Sequence, residues 1–196
     1  MFKRFSQFVL FGTLVLSFAS CAEAPKEEEP APQAAKPAEP EGPFYELTKD
    51  DVTTHADWTS RNITFKGAKL GDKANSVTGN FGKTIGVDPV GDQYRTIYEK
   101  STYAIYSHKL TGELQKIEIY SPYASQVADA KLSKALSSGS AADMRAALGM
   151  EEGMEVNGAT TATEYVYDAK GVRFAKYDFP NGVKMNSLIF SKMKAR

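Results

Sequence analysis

Apolar and polar positions alternate most clearly in six stretches of the chain: 94–100, 102–108, 114–120, 162–168, 172–179 and 183–190. A period of two predicts strands. Thr111-Gly112 and Lys170-Gly171 supply turns between them, and Asn181-Gly182 is a strong hairpin signal. Ile63 and Phe65 alternate with Asn62, Thr64 and Lys66, which predicts one more short strand. Elsewhere the spacing is helical. Ala74, Val77 and Phe81 follow a cap at Asp72, and Gly82 ends the run. Ala128, Leu132, Ala135 and Leu136 mark a helix over 126–136. Ala141, Met144 and Leu148 mark another between Ser140 and Gly149. Gly86, Pro89 and Gly91 read as a loop, and so does the stretch through Gly153 and Gly158.

The order helix-then-strands occurs twice. The expected fold class is therefore α+β: two tandem helix-then-antiparallel-sheet units, 61–123 and 124–191, forming one domain, 44–196, with helices on one sheet face. Gly82 and Gly149 are 67 positions apart, but Gly112 and Gly171 only 59, which predicts a loop eight residues shorter in the second unit.

The N-terminal residues follow different rules. Lys3 and Arg4 precede an apolar run from Phe8 to Phe18 that is too short to span a bilayer, which takes ~20 residues, but suits a signal sequence. Phe18-Ala19-Ser20-Cys21 then resembles the bacterial lipobox, with Phe18 where Leu is usual. The resemblance implies a signal peptide over 1–20, lipidation of Cys21 and attachment to the membrane through that lipid, with multiple acylation for stable anchoring. Cys21 is the only Cys of the chain, which excludes an internal disulfide framework. Residues 22–43 hold six Ala, six Pro and six Glu and no aromatic or β-branched residue. Such a stretch reads as a disordered linker that holds a domain clear of the bilayer.

Charge changes the picture by exclusion. The 24 basic and 24 acidic residues of the whole chain balance. Within 44–196 the counts are 20 basic and 18 acidic, so a nucleic-acid-binding role is not expected. All ten Tyr fall in that segment, enough for a substantial core.

Candidate chemistry is sparse. Gly79-Asn80-Phe81-Gly82-Lys83-Thr84 ends like a phosphate loop, but Val77 stands where the motif needs Gly, and Pro89 forbids a following helix. His55 and Asp57 lack a third metal ligand, and Asp88 and Asp92 lack the twelve-residue calcium-loop pattern. Ser107 and His108 are adjacent on a strand, so they point to opposite faces and cannot form a nucleophile–base pair. Glu151, Glu152 and Glu155 read as a solvated cluster. No cofactor, metal site or catalytic set is expected.

Lys69-Leu70-Gly71-Asp72, Val77 and Phe81-Gly82-Lys83, echoed by Ala141, Met144 and Leu148-Gly149, resemble the β-lactamase-inhibitor-protein fold and the small lipoproteins of outer-membrane assembly. That resemblance implies a non-enzymatic protein-binding domain. The expectation is an envelope lipoprotein, lipid-anchored at the outer membrane, that binds a protein or another envelope macromolecule through an open sheet face. The alternatives are a structural or assembly accessory and a small-ligand carrier. With Ile97, Ile105, Ile117, Ile119 and Val166 turned toward the helices, the opposite parity collects Tyr94, Tyr98, Tyr106, Tyr120, Tyr165 and Tyr167 beside Lys100, Lys116 and Glu118. Those six tyrosines with Lys100 and Lys116 form the expected binding face, an exposed patch of roughly 400 Å².

Overall fold

Eight strands pair into one antiparallel sheet, and they come as two meanders. The first meander is β3 (Thr84–Val90), β4 (Gln93–Tyr98), β5 (Tyr103–His108) and β6 (Leu114–Tyr120). The second is β7 (Gly153–Asn157), β8 (Ala162–Tyr167), β9 (Val172–Asp178) and β10 (Lys184–Ser191). The order across the sheet is β3-β4-β5-β6-β10-β9-β8-β7, so the two last strands of the meanders meet at the centre. A two-residue parallel pair, β1 (Tyr45–Glu46) and β2 (Ile63–Thr64), stands apart. The computed structural model describes residues 44–48, 59–158 and 161–193, all within one compact unit, 40–196. The signal segment, Cys21, the linker, His55 and Asp57 lie outside the described residues.

The helices are short and capped by local chemistry. α1 (Ala74–Val77) is a single turn continued by a 3-10 turn, Thr78–Asn80. Asp72 does not cap it. Its carboxylate instead accepts from the Lys69 N–H at 2.8 Å, and Lys73 occupies the cap position. α2 (Ala130–Ser138) begins later than the helix expected over 126–136, because the residues before it, Ser121–Gln126, form a 3-10 segment with Pro122 in its first turn. The Asp129 carboxylate caps α2 by accepting from the Lys131 and Leu132 N–H groups, each at 2.9 Å. α3 (Ala141–Leu148) follows at once, capped by the Ser140 hydroxyl, which accepts from the Asp143 N–H at 3.0 Å.

These helices and one sheet face share a core. Leu132, Ala135 and Leu136 of α2 and Met144 and Leu148 of α3 belong to one buried cluster with Ile105, Ile117, Ile119, Phe174, Leu188 and Phe190. Phe65 and Phe81, fully buried, extend it. The fold is thus mixed α+β, as the sequence implies.

The strand count is a correction. The segments with Gly86 and Pro89 and with Gly153 are β3 and β7, the two edge strands. Glycine and proline depress strand propensity in general, but an edge strand tolerates a missing N–H. The turn matching is corrected with it. Lys170-Gly171 closes β8 to β9 and so corresponds to the β4–β5 turn, whereas Thr111-Gly112 corresponds to Asn181-Gly182. Gly112 and Gly182 are 70 positions apart, so the eight-residue shortening disappears.

Gly171, just before β9, is bound to the end of β10 within the second meander. Its φ is +66°, and its carbonyl accepts from the Ser191 N–H at 2.8 Å. A Cβ there would collide with Ser60 Oγ and lie 2.9 Å from the Ser191 carbonyl oxygen. Gly171→Ala combines a left-handed backbone penalty of ~1–2 kcal/mol with overpacking of ~1–3 kcal/mol. It should therefore lower stability by about 2–5 kcal/mol, read as a lower urea midpoint at unchanged slope.

Candidate functional site

The face away from the helices is built from alternate residues of the same strands. Arg95 pairs with Tyr106 and Tyr106 with Lys116, forming one row across β4, β5 and β6. Ile97, Ala104, Glu118, Ile189, Arg173 and Val166 form the next row. Tyr120, Ser187, Ala175 and Glu164 form a third. Small residues at Ala104, Ala175 and Ser187 leave room for the long side chains to lie flat.

Those side chains close on Glu118, which is only 3% exposed. The Tyr106 hydroxyl donates to Glu118 Oε2 at 2.6 Å. The Tyr177 and Ser187 hydroxyls donate to Oε1 at 2.8 and 3.0 Å. Arg95 Nη2 donates to the Tyr120 hydroxyl at 2.8 Å, while its buried Nε has no partner among the described residues. The Lys116 ammonium sits 3.5 Å from the centroid of the Tyr106 ring, and burial pulls its pKa down. Further out, Arg173 bonds Glu155 at 2.6 Å and Glu164 at 3.0 Å. A buried carboxylate with three donors is well compensated. It presents no free acid or base to a substrate.

This arrangement corrects the expected tyrosine face. Tyr106, Tyr120 and Lys116 do lie together on the uncovered face, but both rings are buried. Tyr98 and Tyr167 are buried in the helix-side core, and Tyr165 packs partly buried against it. Tyr98 stacks on Tyr103 at 5.5 Å. Tyr94 shares the parity of Tyr98 and is the one strongly exposed ring of the six, 46%, beneath Lys109 Nζ at 5.4 Å. Lys100 lies in the β4–β5 turn, not on a strand face. Ile97 and Val166 go to the uncovered face, contrary to expectation, whereas Ile105, Ile117 and Ile119 face the helices. The 400 Å² tyrosine patch is therefore not formed.

Other sequence candidates have local partners. His108 Nδ1 accepts from the Leu110 and Thr111 N–H groups at 3.3 and 3.2 Å, closing the β5–β6 turn. Asp92 lies 3.8 Å from His108 and Asp88 4.0 Å from Arg95. Glu151 takes two bonds from Arg145, at 3.0 and 2.6 Å. Thr84 opens β3, so a strand follows Lys83.

Exposed apolar surface gathers instead at the rim. On β7, Met154 and Val156 are 62% and 74% exposed, and Met150 just before it is 71% exposed. Met154 and Val156 share one side, with Tyr165 opposite Met154 on β8. No described strand pairs with the outer edge of β7. The other edge strand, β3, also exposes Ile85 and Val87 but carries Asp88 and Pro89. The sequence held the signal for β7 in Met154 and Val156 two apart, masked by the flanking glycines.

No protein-family model and no curated protein matches the chain. Among solved structures, it is similar to a DUF4309 family protein from Bacillus subtilis, at 14% identity over 64% of this chain and 83% of that one, with a TM-score of 0.42. It is also similar to a cysteine-rich secretory protein from Staphylococcus aureus, at 10% identity over 76% of this chain and 50% of that one, with a TM-score of 0.36. The chain thus spans about half the length of the second protein. At such scores neither likeness defines a family for this chain. No helix among the described residues is long and apolar enough to cross a membrane.

The Glu118 network predicts an alkaline weakness. Burial, reinforced by the Glu118 charge, pushes the Tyr106 and Tyr177 hydroxyls far above the ordinary tyrosine value and Tyr120 up to about 12. The folded chain keeps these protons where the unfolded chain loses them, at about 10. The stabilisation is therefore fully present below pH ~10 and is lost as pH climbs toward 12. Urea unfolding from pH ~9 to ~12 should show a falling midpoint. Tyr120→Phe should flatten that fall, and a pH-independent midpoint would contradict the network.

Proposed function

We propose that this chain is a lipid-anchored bacterial envelope protein, non-enzymatic, whose domain binds a segment of another envelope protein along the free edge of β7. The observation that carries the binding surface is the outer edge of β7, with which no described strand pairs, together with the apolar side chains of Met154 and Val156 that stand in solvent. Unpaired N–H and C=O groups recruit an added strand, and the alternate side chains supply specificity. Methionine suits such a surface because its thioether stem adapts to varied partners. The edge at β3 is the weaker candidate because Pro89 removes a donor and Asp88 adds a charge.

Anchoring rests on Lys3, Arg4, the apolar run from Phe8 to Phe18 and Cys21. The Pro- and Glu-rich residues 22–43 supply reach between lipid and domain. The matched halves support a tandem duplication. Ala74 and Ala141, Tyr98 and Tyr167, Gly112 and Gly182, and Ile119 and Phe190 lie 67, 69, 70 and 71 positions apart. Each pair occupies the same place in its own helix or meander.

Two outcomes test this function. Cys21→Ser removes the acyl acceptor. Uncleaved precursor should accumulate and fatty-acid labelling should vanish, and continued labelling would refute the anchor. For the edge, Met154→Lys with Val156→Lys should leave the melting temperature within a few degrees, since both side chains are exposed. Capture of envelope proteins by the wild-type domain should be lost in the double variant, and β7 amides should gain hydrogen-exchange protection in the captured complex. Equal capture by the folded double variant would remove β7 from the interface.

A further inference from the structure

Backbone groups along β7 divide by residue into inward and outward ones. The Val166 carbonyl accepts from the Glu152 N–H at 2.8 Å, so residue 166 turns its backbone toward β7. The Asp178 N–H reaches the Thr161 carbonyl at 3.3 Å, so residue 161 turns its own toward β9. Antiparallel pairing alternates the two directions, which assigns Ala162, Glu164 and Val166 to β7. Their partners are Asn157, Glu155 and Gly153. Met154 and Val156 therefore direct their N–H and C=O groups outward, where no described strand pairs with them.

The side chains of β7 end two unlike rows. On the helix side, Leu188, Phe174, Tyr165 and Met154 follow one another across β10, β9, β8 and β7. This apolar row runs from the fully buried Leu188 and Phe174 out to the exposed Met154. Val156 stands beside Met154 on the same side, and the nearest cation of its row, Lys176, lies two strands in. On the other side the row Ser187, Ala175, Glu164 and Glu155 ends in two carboxylates directly opposite each other.

Like charges in that position repel, and one guanidinium has to hold both. Arg173 Nη1 bonds Glu155 at 2.6 Å and Glu164 at 3.0 Å, and its Nη2 lies 3.9 Å from Asp168. Three carboxylates thus share Arg173. The Glu152 carboxylate adds to them at the same end of the sheet, accepting from the Ala169 N–H at 2.8 Å. Lys170 is the other cation of that β8–β9 turn. The edge is therefore acidic on one side and apolar on the other.

We propose that β7 selects an alternating strand, apolar–basic–apolar, whose Lys or Arg stands opposite Glu155 while the flanking apolar residues extend the rows of Met154 and Val156. This rests on the reading of β7 as the docking strand. The side-chain pattern is the same for either direction of the added strand, because residues opposite each other share a face. Docking strips water from Glu155, and a cation opposite it offsets that loss where a carboxylate would deepen it.

The test titrates the isotope-labelled full chain with three blocked peptides and follows amide shifts. They are Thr-Val-Lys-Val-Lys-Val-Thr, its Glu-for-Lys counterpart, and Thr-Lys-Lys-Val-Val-Val-Thr, which keeps the composition but breaks the alternation. Saturating shifts at Met154, Glu155 and Val156 are expected with the first peptide, and binding roughly fivefold weaker or worse with the other two. Added salt should weaken the first peptide's binding. Glu155→Lys, at an exposed position, should reverse the preference between the two alternating peptides without lowering the melting temperature. Equal affinity for the Lys and Glu peptides overturns the proposal, as does equal affinity for the scrambled one, an unchanged preference in folded Glu155→Lys, or no saturable shift on β7 with any peptide at millimolar concentration. The docking strand itself answers to capture by the Met154→Lys, Val156→Lys variant, so the two readings fail separately.

Discussion

The central ladder between β6 and β10 is the one pairing on which the rest of the sheet depends. It is the sole strand pairing between the two meanders among the described residues, running from Tyr120 opposite Ser187 to Lys116 opposite Ser191. Its helix side is sealed by Ile117, Ile119, Leu188 and Phe190. Its other side is sealed by Glu118, which bonds Ser187 on β10 and Tyr177 on β9 as well as Tyr106 on β5. One carboxylate therefore cross-links three strands besides its own. Such a group fixes register, because a slip of β10 by one residue would turn Ser187 away and leave the charge short of a donor.

That double burial explains what the sequence reveals and what it conceals. The six inner strands alternate strongly and are legible as strands. The faces are not legible, because on β5 and β6 both faces are buried. Aliphatic character then no longer marks the helix side: Ile97 packs on the uncovered face, while Tyr98, Tyr103 and Tyr167 fill the core. The edge strands fail for the opposite reason. β3 contains Gly86 and Pro89 and β7 begins at Gly153, composition that an interior strand rejects and an edge strand accepts.

The candidate sites were legible to different degrees. Met154 and Val156 are two apart in the sequence, yet their exposure depends on β7 ending the sheet. The strained β4–β5 turn had no sequence signature at all. Its left-handed residues, Glu99, Lys100 and Ser101, are not glycines, so composition gives no hint of their backbone. Only comparison of the two inter-strand turns, one relaxed by Gly171 and one strained, brings the difference out.

The central ladder also sets an order of events in time. Hairpins within each meander join neighbours in sequence and close quickly, whereas β6 meets β10 across 67 to 75 residues. A chain delivered N-terminus first completes its first meander with β6 as a bare, isoleucine-rich edge. That edge stays open to wrong partners until the C-terminal strand arrives. Truncation before Lys184 would therefore leave not a smaller stable domain but a species prone to associate through β6.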